Sequence, residues 1–200
     1  MLLPKDYLRL RHHPGDTSIT LGTSAVVLGV ADHPVPGSFG HAQRDQWLRL
    51  DSLHAGGKSL EWLRDLLAPG ESLTTLTASA ADVPPGAHGL HFLPFLMGER
   101  GARGGGAPGA SIGLTTEHRR GNLVRAVLEG VAFELRRLLE SRDTDTGPES
   151  LTMKGGGARS QLWCEIVSGV FGLPYRTTHR DAAYGAALTA GVSQGWWPDW

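Results

Sequence analysis

Residues 17–30 have the sequence TSITLGTSAVVLGV, in which two runs rich in β-branched residues flank Gly22, Thr23 and Ser24. Two such runs joined by a short glycine-containing turn predict a β-hairpin. The turn would present backbone N–H groups and a hydroxyl, which together suit phosphate oxygens. Ordinary β-turns favour the same residue types, so a plain turn and a phosphate-binding turn both stay open.

A second glycine-rich turn, at residues 155–157, separates a predicted strand, Leu151–Lys154, from a helix predicted over residues 159–171. Glycines there let a ligand approach the backbone, and the helix N-terminus favours anions. The spacing lacks the third glycine of G-x-G-x-x-G and the Gly-Lys-Ser/Thr of a P-loop. A tight strand-to-helix turn without a ligand is an equal alternative.

The third candidate is GGKSLEWL, residues 56–63. Glycines at a helix start permit close approach, and Gly57 and Glu61 lie one turn apart on the same side of the helix. The alternative is an ordinary first turn with Ser59 and Glu61 in solvent, and this segment by itself favours the alternative.

The other hydrophobic patterns predict an α/β fold with a mixed sheet flanked by helices. Leucines at 60, 63, 66 and 67 predict a helix over residues 53–67. A longer helix is predicted over residues 116–142, with charged side chains opposite an apolar face made by Leu123, Val127, Val131, Leu135 and Leu138. Further strands are expected over residues 46–50 and 175–178, an edge segment over 90–97, and helices over 71–81 and 182–192.

Composition narrows the class of protein. A 200-residue chain that is 40% hydrophobic can form a core, and a net charge of −1 gives no reason to expect nucleic acid or a membrane as a partner. The single cysteine, Cys164, fits a reducing compartment and a place in the core, so a cytoplasmic location is expected. The nine histidines show no metal-ligand spacing, and the tryptophans of the tail, QGWWPDW, predict packing or a homodimer contact.

Taken together, these segments resemble the FGGY carbohydrate kinases, and among them the xylulose kinases, from about residue 17 to the end. The resemblance is carried by HFLPFLMGER at 91–100, GLTTEHRRGNLVRAVLEGVAFELR at 113–136, LTMKGGGARSQLW at 151–163 and DAAYGAALTAG at 181–191. It implies an actin-like ATPase, ribonuclease-H-like fold. Residues 17–200 would form the C-terminal nucleotide-binding domain, and residues 1–16 a remnant of the sugar-binding domain.

The resemblance also implies ligands and site residues. ATP with Mg²⁺ is the expected nucleotide, and a sugar, D-xylulose by family, would bind only if the missing domain is supplied. Gly22 and Thr23 would face the phosphates, and Gly57 and Glu61 would lie along the nucleotide. The residues expected near adenine and ribose are Gly156, Gly157, Ala158 and Ser160. Structural roles are expected for Glu99, Arg100, Asp181 and Gly185.

One departure from the family concerns catalysis. Phosphoryl transfer to a sugar hydroxyl needs a carboxylate, which in the family is an aspartate well upstream of the Gly-Thr hairpin. Asp16 lies only six positions before Gly22 and is not given that role. No catalytic or metal-binding residue is therefore predicted, and the chain alone is expected to be inactive. The alternatives are a non-catalytic pseudokinase and an interaction module with an actin-like fold.

Overall fold

The computed structural model describes residues 15–41, 45–98, 107–141, 147–180 and 182–196. The predictions made for residues 1–14, Glu99, Arg100, Asp181, Trp197 and Trp200 lie outside these described residues.

Within the described residues, eight strands form one large sheet and one small one. The strands are β1 Thr17–Leu21, β2 Ala25–Ala31, β3 Phe39–Gly40, β4 Trp47–Leu53, β5 His91–Leu93, β6 Ala110–Ile112, β7 Leu151–Lys154 and β8 Tyr175–Thr177. The large sheet has the order β3-β4-β2-β1-β7-β8, and β5 pairs with β6 separately. The first four strands of that order are antiparallel, whereas β7 and β8 run parallel to β1. The predicted mixed sheet is confirmed, as is the hairpin.

In the same described part of the chain, five helices accompany the sheets. They are α1 Gly56–Leu67, α2 Leu73–Ala78, α3 Arg120–Glu140, α4 Gln161–Phe171 and α5 Ala182–Ser193, with 3-10 turns at Ala87–Gly89 and Gly156–Arg159. The long helix α3 packs against α1 and α4 and contacts β2 and β4. In the described part of the chain, no helix has both the length and the apolar character needed to cross a membrane.

The core lies between one face of the large sheet and the helices. Alternate residues of β1 are buried, as a strand with one covered face requires. Ile19 pairs with Val27 of β2 and with Met153 of β7, and all three side chains are fully buried. This row crosses from the antiparallel to the parallel half of the sheet, so one apolar layer holds both halves together.

The predicted helix over residues 53–67 begins later than expected, at Gly56. Leu53 is instead the last residue of β4, where it pairs with Ala25. Leu60 and Leu63 are buried, but Leu66 is 64% exposed. The leucine spacing therefore identified the helix but overestimated the width of its buried face.

The long helix is shorter than the predicted range 116–142, and some of its charged side chains are buried. The helix begins at Arg120, and the N–H of the preceding residue, Arg119, donates to Oδ1 of Asn122 at 2.8 Å. Arg125, Glu129 and Glu134 are buried rather than solvated. The reason is that α3 is covered on several sides, so its charged residues have to pair inside the protein.

Glu129 joins α3 to the turn that precedes β5. Its carboxylate accepts the backbone N–H of Gly86 at 3.1 Å and Nε of Arg125 at 2.6 Å. Gly86, Ala87, His88 and Gly89 all have positive φ angles, an arrangement that costs energy for the two residues with side chains. The buried carboxylate stabilises this turn by accepting its first N–H group.

We expect Glu129→Gln to lower the free energy of unfolding by about 3 kcal/mol, because Arg125 would be left buried without a counter-charge. Glu140→Gln is the matched control. It removes the carboxylate from another Arg–Glu pair of α3 with the same 2.6 Å separation, but that pair is exposed. The control should cost less than about 1 kcal/mol. Urea titration of both variants measures the difference, and equal losses would contradict the argument from burial.

Candidate functional site

A cleft of about 640 Å³ opens at the carboxyl ends of β1 and β7. Because these strands are parallel neighbours, the turns that follow them meet at the same edge of the sheet. The cleft is lined by seven of the eight predicted site residues, namely Gly22, Thr23, Gly57, Glu61, Gly156, Gly157 and Ser160. Three segments that are far apart in the sequence thus come together at one cleft of a size typical of ligand sites.

The hairpin turn and the start of α1 are joined backbone to backbone. The N–H of Gly57 donates to the carbonyl of Gly22 at 2.7 Å, and the N–H of Lys58 donates to the carbonyl of Thr23 at 3.0 Å. A Cβ atom at Gly57 would lie 2.6 Å from the Gly22 oxygen. Position 57 therefore requires glycine because the hairpin backbone lies so close. This requirement is structural and does not depend on a ligand.

The second glycine turn packs on the end of β1. Gly155 has φ +92°, and a Cβ there would lie 2.7 Å from the carbonyl oxygen of Leu21. A Cβ at Gly157 would meet the Trp163 ring at 2.6 Å and Leu21 Cβ at 2.8 Å. Gly156 differs, since among the described residues no atom beyond its two chain neighbours lies within 4 Å of the position where its Cβ would be. Of the three glycines, Gly156 is the one that lines the cleft with open space above it.

Trp163 fixes this turn to the core. Its side chain is 2% exposed, and its Nε1–H donates to the carbonyl of Leu128 in α3 at 3.3 Å. The ring also forms part of the cleft wall. The position of the glycine turn therefore depends on the packing of α4 against α3.

Ser160 lines the cleft and also has a structural role, whereas Ala158 is not part of the cleft wall. Ser160 caps α4, because its hydroxyl accepts the backbone N–H of Trp163 at 3.3 Å. Ala158 does not line the cleft but packs against the hydrophobic core. Its carbonyl accepts a weak hydrogen bond from the Cys164 thiol at 3.5 Å. The contact with adenine and ribose that was predicted for Ala158 thus has no support in its position.

The polar groups on the hairpin side of the cleft are few. Thr23 is exposed at the turn. Glu61 lines the cleft and forms an ion pair with Lys58 at 3.3 Å. Ser59 was expected in solvent, but it is fully buried and its hydroxyl bonds to the carbonyl of Ala55. Of Ser59 and Glu61, only Glu61 therefore reaches the cleft.

The opposite wall was missed by sequence reasoning. It is formed by α2 and the residues after it, namely Leu73, Thr74, Thr77, Ala78 and Ala81. Residues 72–81 contain no charged side chain, which is compatible with a wall against an uncharged part of a ligand. Small and hydroxyl-bearing residues are common in many helices, so this stretch carried no distinctive signal.

Few charges face the cleft. Among the described residues that line it, Arg159 is the one cation and Glu61 the one anion. No group of three or more His, Cys, Asp or Glu side chains is arranged to hold a metal ion within the ranges that the structure describes.

Comparisons with known proteins agree on one family. The profile of the FGGY family of carbohydrate kinases, C-terminal domain, matches residues 17–194. Xylulose kinase of Bacillus subtilis is 30% identical over 192 residues, which cover 91% of this chain and 38% of that protein. Glycerol kinase of Gloeobacter violaceus is 33% identical over 200 residues, which cover 94% and 40%. The crystal structure of xylulose kinase from Rhodospirillum rubrum matches with a TM-score of 0.80 at 30% identity, covering 92% of this chain and 39% of that one.

The mixed sheet, its flanking helices and this structural similarity define an α/β domain with the actin-like ATPase fold of sugar kinases. The chain belongs to the FGGY family of carbohydrate kinases. It spans 38–40% of the length of the xylulose and glycerol kinases that it matches.

We expect Gly57→Ala to lower the free energy of unfolding by about 1–3 kcal/mol, because the new methyl group would push the hairpin turn away from α1. Gly169→Ala in α4 is the matched control, since its Cβ would meet no atom within 4 Å. A glycine in an open helical position costs stability relative to alanine, so the control should gain about 0.5–1 kcal/mol. Thermal and urea unfolding measure both effects, and a stabilised Gly57→Ala variant would contradict the close approach.

Cys164 should behave as a core residue. It is 1% exposed, and burial raises the pKa of its thiol, with the nearby Glu165 carboxylate adding to the rise. A raised pKa in the folded state gives stability that is present below the ordinary thiol pKa of about 8.5 and is lost as pH rises through the folded value. We expect the stability of the native protein to fall more steeply above about pH 8.5 than that of Cys164→Ala. Thiol labelling at pH 8 should follow unfolding, and rapid labelling of the native protein would contradict this prediction.

Proposed function

We propose that this chain is the ATP-binding domain of an ATP-dependent carbohydrate kinase of xylulose kinase type. The observation that carries the proposal is the meeting of residues 22–23, 57–61 and 156–160 at one cleft of about 640 Å³. These are the segments that family resemblance assigns to the nucleotide. A cleft beyond the carboxyl ends of neighbouring parallel strands is a common place for a ligand site in α/β proteins.

The walls of the cleft suggest how ATP would lie. The α2 wall, with its uncharged side chains, suits the base, whereas the hairpin turn with the Thr23 hydroxyl suits the phosphates. Mg²⁺ bound with ATP would neutralise charge on the phosphates during transfer. It commonly takes most of its ligands from phosphates and water, which fits a cleft lined by a single described carboxylate, Glu61.

The position of Asp16 argues against a catalytic role for it. Asp16 precedes β1, and its carbonyl accepts the N–H of Val30 at the far end of the hairpin. The cleft lies at the other end of β1, beyond Leu21. At a rise of about 3.3 Å per residue, the strand separates Asp16 from Gly22 by roughly 20 Å. A general base has to be within hydrogen-bond reach of the proton it removes.

We therefore propose that the sugar site and the catalytic carboxylate come from protein outside the residues described. D-Xylulose is the first substrate to test because the motifs resemble those of xylulose kinases. Glycerol is the second because a glycerol kinase is 33% identical to this chain, against 30% for a xylulose kinase. A pseudokinase that only binds nucleotide is the alternative. It is favoured by the small number of carboxylates facing the cleft.

Calorimetry with ATP and Mg²⁺ tests nucleotide binding, and ADP release after addition of D-xylulose or glycerol tests turnover. We expect binding without turnover by the chain alone. Turnover that is abolished by Asp16→Ala would contradict the argument from strand length. Absence of ATP binding to the folded wild-type chain would refute the proposed function.

We expect Gly156→Leu to weaken ATP binding at least about tenfold, because its side chain would enter the open space of the cleft. Gly169→Leu is the matched control, since that glycine also has open space around it but lies in α4 away from the cleft wall. The control should bind ATP as the wild type does. Unchanged affinity in Gly156→Leu would place the nucleotide elsewhere on the molecule.

A further inference from the structure

The cleft contains one cation that has no assigned role. Arg159 lies at the end of the 3-10 turn Gly156–Arg159 and lines the cleft with its side chain exposed. The other charged residue of the described cleft wall, Glu61, already has Lys58 as its ion-pair partner. No hydrogen bond or ion pair engages the Arg159 guanidinium within the ranges that the structure describes. An arginine held beside a cavity without a carboxylate partner is available to an anionic ligand.

The N-terminus of α1, which lies next to the hairpin, has fewer free N–H groups for an anion than its position suggests. The N-terminus of a helix normally attracts phosphate through its free N–H groups. In α1, the N–H groups of Gly57 and Lys58 are already donated to the carbonyls of Gly22 and Thr23. These two donors are occupied by the fold itself, so the first turn of α1 does not offer them to an anion in the cleft.

The fold also determines where Arg159 stands. Two residues before it, Gly157 packs against Leu21 and the Trp163 ring, and one residue after it, Ser160 caps α4. The backbone on both sides of Arg159 is therefore held by packing. Leu21 is the residue that immediately precedes Gly22, so the turn bearing Arg159 adjoins the hairpin turn. A guanidinium can bind two phosphate oxygens at once and keeps its charge at any physiological pH.

We propose that Arg159 is a binding residue for the phosphates of the nucleotide, so that the affinity of the cleft depends on phosphate charge. The proposal rests on the proposed function, since it concerns the same cleft. It makes the cleft selective for nucleoside di- and triphosphates over nucleosides. Charge attraction also makes binding dependent on ionic strength, because salt screens it.

The test is calorimetry of the full chain with adenosine, AMP, ADP and ATP. The variants are Arg159→Gln, which removes the charge, and Arg159→Lys, which keeps it. Arg176→Gln is the control for net charge, because Arg176 is an exposed cation of β8 that does not line the cleft. Arg159 is exposed, so its variants should keep the unfolding midpoint of the wild type, and circular dichroism checks this.

We expect Arg159→Gln to weaken ATP and ADP binding about tenfold, the loss expected for a hydrogen bond between charged groups, and to leave adenosine binding unchanged. Arg159→Lys should recover part of the loss, and Arg176→Gln should bind as the wild type does. Raising the ionic strength from about 0.01 M to about 1 M should weaken ATP binding more in the wild type than in Arg159→Gln.

The outcomes separate the two proposals. Equal loss of adenosine and ATP affinity in Arg159→Gln would overturn the phosphate role, since Arg159 would then contact the base or ribose. Unchanged ATP affinity would overturn it as well, with Arg159 a solvated surface residue and the nucleotide cleft retained. Failure of the wild type to bind any of the four ligands would overturn the nucleotide cleft and the role of Arg159 together.

Discussion

The cleft depends on main chain approaching main chain where a side chain would not fit. Gly57 lets α1 rest on the carbonyl of Gly22, and Gly155 and Gly157 let the turn after β7 rest on Leu21. A methyl group at any of these three positions would come closer to its neighbour than ordinary van der Waals contact allows. These close contacts fix the relative positions of the hairpin, α1 and the turn after β7.

This arrangement gives one set of residues two explanations. Gly57, Gly157 and Ser160 line the cleft, yet the fold alone explains each of them. Gly57 contacts the hairpin turn, Gly157 packs against the Trp163 ring, and Ser160 caps α4. Gly156, Thr23 and Arg159 differ because they face open space or solvent without such a reason. The second group is where a ligand would be recognised, and the first group holds that surface in place. A rigid scaffold under a few exposed groups is the arrangement expected of a binding site.

The fold could be predicted from sequence to the level of element order. The β-branched runs gave the hairpin, and the spacing of Val127, Val131 and Leu135 gave the long helix. The differences from the predicted boundaries and burial have a common cause. Periodicity describes the spacing of apolar residues along an element, and it does not show which other elements cover that element. Leu53 continued a strand because Ala25 was its partner, and Glu129 was buried because α3 is packed on several sides. Both facts depend on residues that are distant in the sequence, so neither can be inferred from the residues next to Leu53 or Glu129.

The sequence by itself determined the family, the strand and helix order and the three glycine-containing segments, because these follow from short-range patterns and from the residue spacing within each segment. Tertiary structure alone decided that the segments share one cleft, that α2 closes it, that Ala158 turns away from it and that Arg159 is the cation facing it. The physical reason is that parallel pairing of β1 with β7 joins residues more than 130 positions apart. The pattern of residues within β1 or β7 does not show which strand pairs with it.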